Sequence, residues 1–202
     1  MVANITSPLF EKEQALNDIV KKKGIVVHDK ITLSSGEESD YYYDLKKISL
    51  DPEAIDIIGD LLLEHIVLRY GNVKSVGGLA SGAVPLVTAI VMKSAGNGGG
   101  INGFFVRKER KPHGLQKIIE GEIIPPVVIV DDVITTGHSI RLVIDAVTGA
   151  GFDVKGVFTL LDREENNGLK NVIECFSLLK HSDFKSFIEE QKKKNKNAKI
   201  EN

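Results

Sequence analysis

The 202 residues are 42% hydrophobic and 27% charged, with a formal net charge of −2. That is ordinary globular composition, at a length one domain fills without disulfides or metal clips. One cysteine, Cys175, excludes an intrachain disulfide or a cysteine metal cluster and is expected as a small buried apolar side chain. No basic segment leads into an apolar run, and no stretch approaches the ~18 apolar residues that span a bilayer, so a cytoplasmic protein is expected.

In chain order, residues 9–23 are good helix formers closed by Gly24. Residues 25–33 and 41–48 are β-rich and flank the turn-forming SSGEESD, which predicts an antiparallel pair outside the main sheet. Asp51 and Pro52 open a helix in which Ile55, Ile58, Leu62 and Ile66 recur at helical spacing, and Gly71 closes it. Strands are predicted at 73–77, 103–106, 127–130 and 154–161, with helices at 84–94 and 139–149 between them. This alternation predicts an α/β domain with a parallel sheet covered by helices on both faces. The last twelve residues carry five lysines and one glutamate, a charge of +4 against −6 for the rest. With no aromatic partner or nucleic-acid motif beside them, these lysines are read as a solvated helix end, and no nucleic-acid partner is expected.

Ligands of such sheets bind beyond the carboxyl ends of the strands, so the loops after strands carry the chemistry. Three stand out: GGLASGAVP from Gly77, RKERKPHG from Arg107, and DDVITTGHS from Asp131. In the last, a buried strand runs into two carboxylates, a hydroxyl-rich turn and a helix. Thr135, Thr136, Gly137, His138 and Ser139 place hydroxyls and amides where the helix dipole favours phosphate. Asp131 and Asp132 can accept from two vicinal sugar hydroxyls or organise a hard cation. Helix capping explains Ser139 or Asp132 singly, not the whole pattern. Gly98, Gly100 and Gly103 have dinucleotide-site spacing, but they precede a strand instead of following one, so a plain connection is expected.

VVIVDDVITTGHSI resembles the phosphoribosyl pyrophosphate motif of the type I phosphoribosyltransferases. FFVRKERKPHGLQKIIEG resembles the catalytic loop of the orotate-specific branch, and SSGEESDYYYDLKKI and LLDREE resemble its substrate segments. The resemblance implies a mainly parallel five-stranded core at about 51–161, a small hood from 1–50 and 162–190, and a basic tail at 191–202, all in one domain. It implies donor contacts from Asp131, Asp132, Val133, Ile134, Thr135, Thr136, Gly137, His138 and Ser139, with Arg107 and Lys108 on the phosphates. Lys111 and His113 become donor-binding and catalytic residues of a loop shared across a homodimer, with Asp131 and Asp132 the other catalytic pair. Tyr42, Tyr43, Thr135 and Arg163 become contacts to orotate. Magnesium is the implied cofactor, held mainly through the donor, with Asp131 and Asp132 as candidate ligands. His138, Ser34 and Ser81 depart from residues common at their places. A purine-base transferase and a non-catalytic sensor of the donor are the rival readings; the presence of Lys111 and His113 argues against the sensor.

Overall fold

The computed structural model describes residues 7–32, 38–96, 100–109, 118–165, 168–169 and 172–200. Helix α1 (Pro8–Ile19) is capped by Ser7, whose hydroxyl accepts from the Leu9 amide, and continues into a π-helical turn, Val20–Gly24. Strands β1 (Ile25–Thr32) and β2 (Glu38–Tyr43) pair antiparallel from Ile25↔Tyr43 to Thr32↔Glu38, as expected. The second strand is shorter than predicted because Asp44 caps a short helix, α2 (Leu45–Ser49), by accepting from the Lys47 amide at 3.1 Å. β-Rich composition at 45–48 loses there to a local cap, a competition this residue type often wins.

Helix α3 (Pro52–Tyr70) starts where Asp51 accepts from the Ala54 amide and stops at Gly71, whose φ of 61° suits glycine. There follow β3 (Ser75–Leu79), α4 (Val84–Ala95), β4 (Asn102–Val106), β5 (Ile119–Gly121), β6 (Val127–Ile134), α5 (His138–Gly149), β7 (Val154–Asp162), β8 (Cys175–Lys180) and α6 (Lys185–Ile200). The main sheet runs β5-β4-β3-β6-β7-β8. Five strands are parallel and β5 alone is antiparallel, added at the edge beyond β4. Strand β8 lies inside the 162–190 segment assigned to the hood from the resemblance, and it is an edge strand of the main sheet. Its sequence, CFSLLK, is half exposed and short, so periodicity alone does not set it apart.

Strand β6 alternates its faces. Val128 and Val130 pack with α3 and α4, while Val127 and Ile129 pack with Val143 and Val147 of α5. The first cluster also takes in Leu16 of α1 and Val20 of the π-helical turn after it, and Phe184, just before α6, and Ile188 within α6, so both chain ends share one core. Phe158 of β7 is fully buried there, 5.5 Å from the Phe176 ring centroid and 6.0 Å from that of Tyr70. Phe158→Ala is expected to cost about 3–5 kcal/mol, read as a lower urea midpoint at an unchanged slope.

Two expectations about single residues change. Cys175 is exposed, because it begins an edge strand instead of pointing into a core. The lysine-rich end is the helix expected, through Ile200, but Lys192 is anchored instead of solvated: its ammonium lies 2.8 Å from both Asp40 and Glu189 and 5.7 Å from the Tyr41 ring centroid.

Candidate active site

Strands β3 and β6 are neighbours, yet their onward connections leave in opposite directions, β3 toward β4 and β6 toward β7. A crevice forms at the carboxyl ends of such a pair. Pairing of β6 with β3 stops at Gly77↔Ile129, whereas pairing with β7 continues to Ile134↔Asp162. The strand therefore carries Asp131 and Asp132 within it, four residues beyond the 127–130 run that apolar content predicts. Glycines let the walls of this crevice meet. A Cβ on Gly78 would overlap the Val130 carbonyl oxygen, and one on Gly82, in the loop after β3, would sit 2.9 Å from Asp132 Oδ1. The Ala80–Ser81 peptide in that loop is cis.

Asp131 is only 4% exposed and Asp132 is half-buried. The Asp132 amide donates to Asp131 Oδ1 at 3.0 Å. Burial pushes the Asp131 carboxyl well above the ordinary carboxylate range, and the Asp132 charge beside it pushes further. Burial raises Asp132 as well. Opposing this, the Lys108 ammonium acts on Asp131 and the Lys46 ammonium, brought by α2, acts on Asp132. Lys46 was not singled out from sequence. The signal was the Asp44 cap in YYYDLKKI, which turns the chain into a helix beside the end of β6.

After Ile134 the chain forms the loop Thr135, Thr136, Gly137 and enters α5 at His138, with Ser139 in its first turn. Gly137 has φ 79°, and an added Cβ would meet Leu169 at 2.7 Å, so both conformation and packing demand glycine. No side chain caps the start of α5. Its first amides thus face the loop with the dipole's positive end, the arrangement that receives phosphate. Gly168 donates to the Thr136 carbonyl at 3.3 Å, and Arg141 Nη2 donates to the Gly168 carbonyl at 2.9 Å, which brace the loop from behind. His138 is exposed on the first turn.

Arg163, just past β7, is placed beside this loop: its amide donates to the Ile134 carbonyl at 3.1 Å, and its Nε lies 3.0 Å from Glu165 Oε1. The tyrosines separate. Tyr43 is 7% exposed and its hydroxyl hydrogen-bonds His181 Nδ1 at 2.8 Å, while Tyr42 is 47% exposed. Tyr41 stacks on His181 with centroids 5.3 Å apart.

The basic loop leaves β4 and returns at β5, and its ends are pinned together: the Arg107 amide donates to the Ile118 carbonyl at 2.9 Å. The Arg107 guanidinium lies 3.0 Å from Glu120 Oε1 and 5.8 Å from the Phe105 ring centroid. Lys108 is exposed. Lys111, His113, Ser34 and Gly98 lie outside the described residues.

The loops after β3, β4, β6 and β7 thus meet at one end of the sheet around a buried acidic pair and an uncapped helix start. No protein-family model matches the chain. It is 44% identical over 151 residues to an orotate phosphoribosyltransferase of Streptomyces avermitilis, covering 74% of this chain and 81% of that one. The orotate phosphoribosyltransferase of Methanosphaera stadtmanae is 36% identical over 185 residues, covering 89% and 100%. The chain belongs to the orotate phosphoribosyltransferase family. The crystal structure of the Mycobacterium tuberculosis orotate phosphoribosyltransferase in complex with 5-phospho-α-D-ribosyl 1-diphosphate superposes with a TM-score of 0.69 at 32% identity, covering 85% of this chain and 98% of that one. The type I phosphoribosyltransferase fold expected from the resemblance is the fold observed, with β5 as an added antiparallel edge.

Proposed function

We propose that the chain transfers the phosphoribosyl group of phosphoribosyl pyrophosphate to orotate, giving orotidine 5′-monophosphate and pyrophosphate in pyrimidine nucleotide synthesis. The observation that carries this reading is the joined site: an acidic pair on β6, an uncapped anion-receiving helix start, and Arg163 tied to the strand between them.

The loop of Thr135, Thr136, Gly137, His138 and Ser139 holds the 5-phosphate through amides and hydroxyls. Asp131 and Asp132 accept from the ribose hydroxyls. Arg163 takes the orotate carboxylate, for which its planar fork is suited, and Thr135 borders the base. Arg107 and Lys108 hold the pyrophosphate. Lys46 adds positive charge beside Asp132 and lowers the cost of keeping that carboxylate ionised. As the bond from C1′ of the sugar to the pyrophosphate oxygen breaks, a new bond forms to a ring nitrogen of orotate, the proton on that nitrogen passes to the departing pyrophosphate or to solvent, and negative charge gathers on the departing group. Cations placed there in advance lower the barrier.

Two carboxylates, with no group of three acidic, histidine or cysteine ligands among the described residues, suit magnesium that takes most of its ligands from the donor and water. Bound there, magnesium would screen the pyrophosphate charge. The working form in this reading is a cytoplasmic homodimer in which the 107–118 loop of one protomer, with Lys111 and His113, serves its partner's site. No helix among the described residues is long and apolar enough to cross a membrane.

Ultraviolet absorbance tests the substrate. With magnesium and the donor present, orotate is consumed while adenine, guanine, hypoxanthine and uracil are spared. Consumption of a purine in place of orotate would move the chain to the purine-using relatives, and consumption of no base would leave the donor-sensor reading.

A further inference from the structure

Beyond β7 the chain turns through Glu164, the one non-glycine residue with positive φ among the described residues, at 56°. Glycine adopts this conformation freely, whereas a residue with a Cβ is disfavoured in it, so a glutamate here points to a task for its side chain. That task is visible. Glu164 Oε2 accepts from the Ser182 amide at 2.6 Å, and the Glu164 amide donates to Asp162 Oδ1 at 2.7 Å. Ser182 sits in the 3-10 turn His181–Asp183, whose first residue bonds the Tyr43 hydroxyl of β2. On the other side, the neighbouring Arg163 amide is bonded to the Ile134 carbonyl, where the donor loop begins.

The Arg163 backbone is therefore held from two directions, by the donor loop and, through Glu164, by the turn that carries His181. We propose that Glu164 is a positioning residue for the base end of the site: its left-handed turn and its carboxylate on the Ser182 amide fix Arg163 relative to the donor loop. This rests on Arg163 as the group that meets the substrate carboxylate. Glu164 itself is exposed and adds nothing to either hydrophobic cluster, so its contacts serve local geometry more than global stability. The Ser182 amide also holds the Glu164 carboxyl below its ordinary range, as an acceptor used in its charged form should be.

Steady-state kinetics with orotate and phosphoribosyl pyrophosphate varied in turn tests this. Loss of a hydrogen bond to a charged acceptor predicts that Glu164→Ala and Glu164→Gly raise KM for orotate about tenfold or more, with KM for the donor within about twofold. Glu164→Gln, which keeps an acceptor, restores most of the loss. Ser182→Pro removes the donor amide from the opposite side, and in protein that melts near wild type it should reproduce the effect without adding to that of Glu164→Ala. Equal changes in both KM values, an unchanged orotate KM, or additive effects of the two substitutions would overturn the proposal. Wild-type protein is measured first; if it does not turn over orotate, the substrate reading fails and this one with it. Thermal unfolding of each variant separates misfolding from misplacement, since the positioning role predicts melting close to wild type.

Discussion

Lys111→Ala is expected to lower kcat about 100- to 1,000-fold while changing the dissociation constant of phosphoribosyl pyrophosphate only a few-fold. The asymmetry follows from where charge develops. In the proposed reading the pyrophosphate charge of the bound donor is already met by Arg107, Lys108 and magnesium, so one ammonium more or less matters little. In the transition state the leaving oxygen gains charge that only a group brought over it can meet. The pinned ends of the basic loop, Arg107 to Ile118, give it a fixed base beside the carboxyl end of β4. Single-turnover rates and equilibrium donor binding check the split; equal losses in both would make Lys111 a plain binding residue. Mixing Lys111→Ala with Asp132→Asn protomers extends the test. If the loop serves the partner's site, mixed dimers contain one site with both residues intact and recover part of the activity. A loop acting within its own protomer also leaves Asp132→Asn sites without their acid and Lys111→Ala sites without their lysine, and gives no recovery.

Asp131→Asn is expected to abolish most turnover and, in the metal-free protein, to raise stability. Burial makes the ionised carboxyl unfavourable in the folded state, so its native pKa lies above the unfolded value of about 3.9. Below that pH both states are protonated and the residue costs nothing. As pH rises through the interval between the unfolded and native values, the unfolded state loses the proton first, so stability falls with pH. The amide cannot ionise, and its oxygen can still accept from the Asp132 amide. Denaturant midpoints in the presence of a chelator should therefore decline from pH 4 toward pH 8 in wild type and much less in the variant. The same substitution removes a charge from the proposed donor site, for which a loss of about 100-fold or more in kcat/KM is expected. A variant less stable than wild type at pH 8 would contradict the buried-charge account; a fully active one would remove Asp131 from the site. Together the outcomes describe a residue kept for chemistry at a cost to folding.

Sequence made the acidic pair, turn and helix start of the proposed donor end legible because one short stretch holds them. VVIV announces a buried strand, DD interrupts it with charge no core tolerates without purpose, and TTGHS supplies the turn and helix start. Helices α3 and α5 were equally plain, with Asp51, Pro52 and Gly71 marking the ends of one and Gly137 and Gly149 those of the other. The base end was less legible, since its parts come from distant segments. Tyr43 meets His181 across 138 positions, and Glu164 meets Ser182 across a strand that is itself in the main sheet. Two strands escaped because they are short or half-exposed: β5 has three residues, and β8 has only one buried position. Strand β6 ran longer than its apolar letters because β7 keeps pairing with it to Asp162, a tertiary effect that composition at 131–134 does not record. Lys46 was hidden for the same reason, a surface lysine until α2 sets it beside Asp132.

The central claim is that a phosphorylated, activated ribose is gripped at the end of β6. A crystal of the protein grown with magnesium and phosphoribosyl pyrophosphate decides it. The account predicts the 5-phosphate against the amides of 135–139 and the ribose hydroxyls within hydrogen-bonding reach of Asp131 and Asp132; donor bound at any other place, with that crevice filled by water, would contradict it.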